Sequence, residues 1–176
     1  MLTLSTQVIS LLIKLIGAVL LIASSFSVGL SMSKSLYRRK SFIESFIVFI
    51  DNLATHIRYN TDDIFKLVSM CANSEELKSF EFFSKPHTEP FDKLWSKSVL
   101  TIPRAYALTK EDIDLLLQFG SQLGKTDIDG QLKHIKLYKE FFKKQLENAE
   151  DAIAKKSRLY KTMGLFAGTA AALMMI

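Results

Sequence analysis

Apolar residues fill two uncharged runs near the chain ends and recur at helical spacing between them. From Leu15 to Ser33, nineteen residues pass without a charge. At about 1.5 Å rise per residue, a helix of that length spans close to the ~30 Å hydrocarbon core of a bilayer. Val8 to Ile13 is also mostly apolar, and Lys14 can extend its ammonium toward the headgroups, so the helix can begin earlier. A cleaved signal peptide needs a basic segment ahead of its apolar core. Met1 to Ser10 carries no charge and Lys14 interrupts the core, so the segment reads as a retained anchor. Thr162 to Ile176 adds fifteen uncharged residues. That is short against the roughly 17–25 of a full span, a gap that bilayer thinning or snorkelling by Lys161 can close. A shallow interfacial helix is the alternative.

The pattern between these runs is helical. Leu36, Ile43, Phe46, Ile47, Ile50, Leu53 and Ile57 recur mainly at three-, four- and seven-residue steps, which predicts a helix running out of the first anchor to about Asn60. Thr61-Asp62-Asp63 offers a capping hydroxyl and carboxylates to a short helix through about Ala72. Glu75 to Phe83 reads as another short helix, and Pro86 and Pro90 bracket a loop. Phe91, Leu94, Trp95 and Val99 form an apolar face before Pro103. Thr109 opens a helix carrying Glu111 and Asp112 in its first turn, with Gly120 inside it and Gly124 suited to a left-handed cap. Thr126 or Asp127 caps the last and longest helix. Along it Phe142, Leu146, Ala149, Ile153, Tyr160 and Met163 repeat in four- and three-residue steps with Lys156 in one seam position, a coiled-coil-like pattern that continues into the second run. No alternating segment with hairpin turns appears, so no sheet is expected.

Charge placement orients the chain. Lys34, Arg38, Arg39 and Lys40 follow the first apolar run, and Lys155, Lys156, Arg158 and Lys161 precede the second. Both clusters border the central region, which the excess of cations assigns to the cytoplasm. Residues 41–154 hold fourteen Lys/Arg against eighteen Asp/Glu, a net of −4. The basic balance of the chain is therefore an anchor feature that suits anionic lipid, and no phosphate-binding surface for nucleic acid is expected. The expected fold is all-α. An N-terminal transmembrane anchor (1–33) precedes a cytoplasmic helical bundle with a long coiled-coil-like C-terminal helix (34–161), and a short C-terminal transmembrane anchor follows (162–176).

Candidate chemistry changes this picture little. The chain lacks a Walker A loop, a dinucleotide fingerprint, a nucleophile elbow and an H-E-x-x-H pair. His56, His87 and His134 are isolated, and the pairs Asp62-Asp63, Glu75-Glu76 and Glu111-Asp112 each stand where a helix begins. Cys71 is the one cysteine and reads as a small buried hydrophobe. No catalytic residue, metal ligand or cofactor is assigned, and the chain is read as a non-enzyme. Two features remain. Gly164, Gly168 and Ala172 form a small-residue stripe that lets helices approach closely in lipid. Lys133, Lys136, Lys143 and Lys144 share one face of the last helix, either solvated or a docking surface for an acidic partner.

The stretch Leu123-Gly124-Lys125-Thr126-Asp127-Ile128-Asp129-Gly130-Gln131, and the later Ser157-Arg158-Leu159-Tyr160-Lys161-Thr162-Met163-Gly164, resemble the stage III sporulation protein AB family. So do Lys14-Leu15-Ile16-Gly17-Ala18-Val19-Leu20 and the placing of Trp95. The first thirteen residues extend beyond the usual start, and Lys156-Ser157 stands where the family has Lys-Asn. The resemblance implies a sporulation protein of the mother-cell membrane facing the forespore. It also implies similarity to the cytoplasmic helical domains of type II secretion and type IV pilus platform proteins. Such a protein would be part of a channel assembly, with other channel subunits, membrane lipid and a cytoplasmic secretion-type ATPase (stage III sporulation protein AA-like) as partners. The expected docking surface is the hairpin from Thr109 to Lys144, with Gly130, Gln131, Lys133, Lys136, Lys143 and Lys144 as contact residues. A membrane-anchored scaffold that touches anionic lipid without an ATPase is the alternative.

Overall fold

The computed structural model describes residues 2–60, 62–72, 77 and 89–175. Among them every regular element is a helix: α1 Leu2–Tyr59, α2 Ile64–Cys71, α3 Phe91–Leu100, a 3-10 turn Arg104–Tyr106, α4 Lys110–Gln122 and α5 Ile128–Met175. Apart from Leu77, the helix expected over Glu75 to Phe83 lies outside the described residues, as do Pro86, His87 and Ile176. The chain divides into two compact units. One joins α1 up to Leu36 with α5 from Asp151 onward, and the other runs from Tyr37 to Glu150.

In the unit from Tyr37 to Glu150, α1 buries Ile43, Phe46, Ile50, Leu53 and Ile57 of the periodic residues, with Phe42 and Phe49 beside them, while Ile47 is half-buried. These rings meet a single aromatic cluster: Phe46 lies 5.5 Å from Phe119, 4.6 Å from Phe142 and 6.3 Å from Trp95 between ring centroids. Fully burying aromatic rings contributes several kcal/mol each, so this cluster is the main source of cohesion in the unit. Trp95 is fully buried, and its indole Nε1–H donates to the Leu116 carbonyl oxygen at 2.7 Å. Its ring occupies the space a side chain would need at Gly120: a Cβ there would stand 2.1 Å from Trp95 Cδ1. Gly120 weakens α4 locally, and it is what admits the tryptophan.

Helix ends follow local chemistry. Asp63 caps α2 by accepting from the Phe65 N–H at 3.2 Å; Thr61, which offers the capping hydroxyl in the sequence, lies outside the described residues. Thr109 and Asp112 form a reciprocal capping box at α4, with Asp112 N–H to Thr109 Oγ1 at 3.2 Å and Thr109 N–H to Asp112 Oδ2 at 2.8 Å. Gly124 takes φ 76° after α4, the left-handed conformation that glycine adopts without a Cβ penalty. Asp127 Oδ1 accepts from Gly130 N–H at 3.0 Å and starts α5.

The other unit is a close helix pair. Its α1 side turns Ala18, Gly29 and Ser33 inward, and its α5 side turns Ser157, Gly164, Gly168 and Ala172 inward. The heptad seam expected through Lys156 and Met163 is replaced: both are exposed, and the inward stripe instead runs at seven- and four-residue steps through the small residues Ser157, Gly164, Gly168 and Ala172. Small residues win because they let backbones touch, which long side chains on a heptad seam prevent. Leu12, Ile13, Ile16, Val19 and Leu20 point outward on α1, as do Leu165, Phe166 and Leu173 on α5. α1 is the one helix among the described residues that is long and apolar enough to cross a membrane by length and composition.

Candidate functional site

The turn between α4 and α5 is built inward. Gln131 is buried, and its Nε2 donates to the Gln122 carbonyl at 3.2 Å and to Thr126 Oγ1 at 2.9 Å. Gly130 lies against the cap: a Cβ would stand 2.7 Å from Thr126 Oγ1 and 2.8 Å from Asp127 Oδ1. Gly130 and Gln131 therefore hold the turn in shape. A glutamine facing inward cannot be told from one facing outward by an amphipathic pattern alone.

The four lysines of α5 do not form one surface. Lys133 and Lys136 line a groove of about 380 Å³ between α1 and α5, together with Arg58, Asp51, Asp129 and Lys139. Lys139 is held in that groove by Asp51, its Nζ lying 2.6 and 2.7 Å from the two carboxylate oxygens. Arg58, Lys133 and Lys136 make no close ion pair among the described residues, and Lys136 acts at longer range on the Glu140 carboxylate. Lys143 is tied to Glu140 at 2.8 Å on its own helix, and that hydrogen bond holds its ammonium above the usual lysine range. Lys144 faces a different groove, beside α4. The unpaired basic set on the α1–α5 groove is thus Arg58, Lys133 and Lys136. Arg58 escaped the sequence reading because its neighbours there come from a helix about seventy residues later.

The basic residues flanking the apolar runs also separate. Lys34, Arg38, Lys156, Arg158 and Lys161 are exposed, and Lys155 pairs with Asp151 on its own helix at 3.2 Å. Lys40 reaches Glu150 at 2.9 Å and Glu44 at 3.6 Å; the Glu150 hydrogen bond raises its ammonium above the ordinary range. Arg39 departs furthest from the expectation of a lipid-flanking cation. Its Nε donates to Asp112 Oδ2 at 2.7 Å, and its Nη2 donates to Asp112 Oδ1 at 3.0 Å and Gln145 Oε1 at 3.1 Å. With side chains 9% and 1% exposed, Arg39 and Asp112 form a buried bidentate pair joining α1, α4 and α5. Among four neighbouring cations, nothing in sequence singles out the one that turns inward.

Gly164 and Gly168 meet α1 directly. A Cβ on Gly164 would lie 2.9 Å from the Ser25 carbonyl oxygen and 3.2 Å from Gly29 Cα, and one on Gly168 would lie 2.9 Å from Ile22 Cα. Ser25 Oγ donates to the Gly164 carbonyl at 2.8 Å, and the Ser33 and Ser157 hydroxyls share a buried hydrogen bond at 2.8 Å. The α1 half of this contact was missed in the sequence. Ser25, Gly29 and Ser33 at four-residue steps were the available signal.

The isolated reactive side chains have ordinary surroundings. Burial pushes the Cys71 thiol up to about 11. His134 Nε2 lies 2.9 Å from the Phe119 carbonyl, and His56 Nδ1 lies 2.8 Å from Asn60 Nδ2. No group of three or more His, Cys, Asp or Glu that could hold a metal occurs among the described residues.

Comparison with known proteins now decides the family. The family profile described as stage III sporulation protein AB matches residues 14–176. The chain belongs to the stage III sporulation protein AB family. It is also 27% identical over 164 residues to the stage III sporulation protein AB of Bacillus subtilis (strain 168), covering 89% of this chain and 95% of that protein. No solved structure matches the chain. Membership points to a role in sporulation, in a family that is not a known enzyme family. The long apolar helix near the N-terminus is compatible with membrane association.

Proposed function

We propose that this chain is a membrane platform of a sporulation-specific, secretion-like channel, which docks a cytoplasmic secretion-type ATPase at the mother-cell membrane facing the forespore. In this reading α1 and the end of α5 both span the bilayer as a hairpin, and the unit from Tyr37 to Glu150 faces the cytoplasm. The cation clusters beside the apolar runs support that orientation. The observation that carries the docking claim is the α1–α5 groove, where Arg58, Lys133 and Lys136 gather without a close ion pair in a unit whose acidic and basic residues balance. An unpaired cluster of this kind steers an acidic partner and makes association salt-dependent.

Single Lys→Ala changes at this rim should each weaken ATPase binding only a little. Arg58→Glu, Lys133→Glu and Lys136→Glu combined should abolish retention of the ATPase on the full chain in detergent, with the helical circular dichroism unchanged. Wild-type affinity of that triple variant in moderate salt would exclude this groove as the docking site. A lipid-contacting scaffold without a motor is the second reading, favoured by the exposed Lys34, Arg38, Lys156, Arg158 and Lys161. It is the reading to adopt if the wild-type chain retains anionic vesicles but no ATPase.

A further inference from the structure

The groove on the other side of α5 has a separate character. It holds about 320 Å³ between Glu111, Asp114 and Leu115 of α4 and Phe141 and Lys144 of α5. The α4 wall carries Glu111 and Asp114 and the α5 wall carries Lys144, yet Asp114 and Lys144 have no ion-pair partner among the described residues. Phe141 is 42% exposed, and Leu137, one turn earlier on the same face of α5, is 52% exposed. A partly open phenylalanine one turn from a lysine and across the groove from two carboxylates has the anatomy of an interface: an apolar centre beside a charged rim.

We infer that this groove is a self-association surface, on which a second copy of the same chain docks through a two-fold axis running along the groove. Rotation about that axis lays α4 of each copy over α5 of the other. The acidic wall then meets the basic wall twice, and Phe141 of each copy enters beside Leu115 of the other. A patch that is acidic on one side and basic on the other is complementary to itself under this operation and to no uniformly charged partner. The same axis keeps both α5 helices pointing in one direction, as two copies in one membrane require. The inference is independent of the docking reading, because it uses the opposite side of α5 and different residues.

Mass measurement on the full chain in detergent tests it. Wild type should be dimeric at micromolar concentration. Phe141→Glu should raise the dissociation constant roughly tenfold or more while leaving helical circular dichroism unchanged. Lys144→Glu should weaken the dimer, and mixing it with a Glu111→Lys, Asp114→Lys chain should restore association as a mixed dimer. With Cys71 replaced by serine, Asp114→Cys and Lys144→Cys chains should crosslink to each other when mixed. A monomeric wild type, or a dimer that Phe141→Glu and Lys144→Glu both leave intact, overturns the inference.

Discussion

Arg39→Ala is expected to destabilise the unit from Tyr37 to Glu150 by about 3–5 kcal/mol, the range for breaking a buried ion pair by removing one partner. The effect is large because Asp112 does not become free when Arg39 leaves. Its side chain is 1% exposed, and its remaining donor from the α4 cap is the Thr109 N–H at 2.8 Å. An unpaired carboxylate in that position keeps its desolvation cost and loses the charge that offset it. Gln145 loses a donor at the same time. Denaturant unfolding followed by helical circular dichroism measures the change. Adding Asp112→Asn to Arg39→Ala should recover part of the loss, because the amide removes the buried charge while Oδ1 can still accept from Thr109. A loss below about 1 kcal/mol for Arg39→Ala would mean that the pair behaves as an exposed one.

The second large effect is expected in the helix pair. Gly164→Ile and Gly168→Ile each place a branched side chain where a single Cβ already stands 2.9 Å from α1 backbone. The helices must separate, which breaks the Ser25–Gly164 hydrogen bond and the Ser33–Ser157 pair. Overpacking of this kind costs about 1–3 kcal/mol per site. A Ser33→Cys, Ser157→Cys chain with Cys71→Ser should form an intramolecular disulfide on mild oxidation, and both isoleucine variants should suppress it. An unchanged disulfide yield in both would show that the stripe does not set the helix approach.

These two sites also separate what the sequence makes legible from what it hides. Helix ends are legible because each is fixed by a residue whose own chemistry acts within a few positions: Asp63, Thr109, Gly124 and Asp127 each do locally what their side chains or conformations allow. The apolar face of α1 is legible for the same reason, through its spacing. Long-range pairing is not. Arg39 finds Asp112 and Gln145, and Gly120 finds Trp95, only after the chain has folded. The coiled-coil-like pattern failed at Lys156 and Met163 because a heptad search rewards large apolar residues, while this pair is built on the smallest ones. Spacing along α5 likewise does not show that Lys133 and Lys136 line a groove with α1 while Lys144 lines one with α4.

The docking claim is tested most directly inside sporulating cells, by asking what touches the α1–α5 groove. A photo-crosslinking amino acid placed at Lys136 in the full chain should yield an adduct with a secretion-type ATPase, identified by mass spectrometry. The same probe at Asp114, on the opposite groove, should yield none with that ATPase. An absence of ATPase adduct at position 136, with adducts to lipid or to channel subunits in its place, would contradict the platform reading.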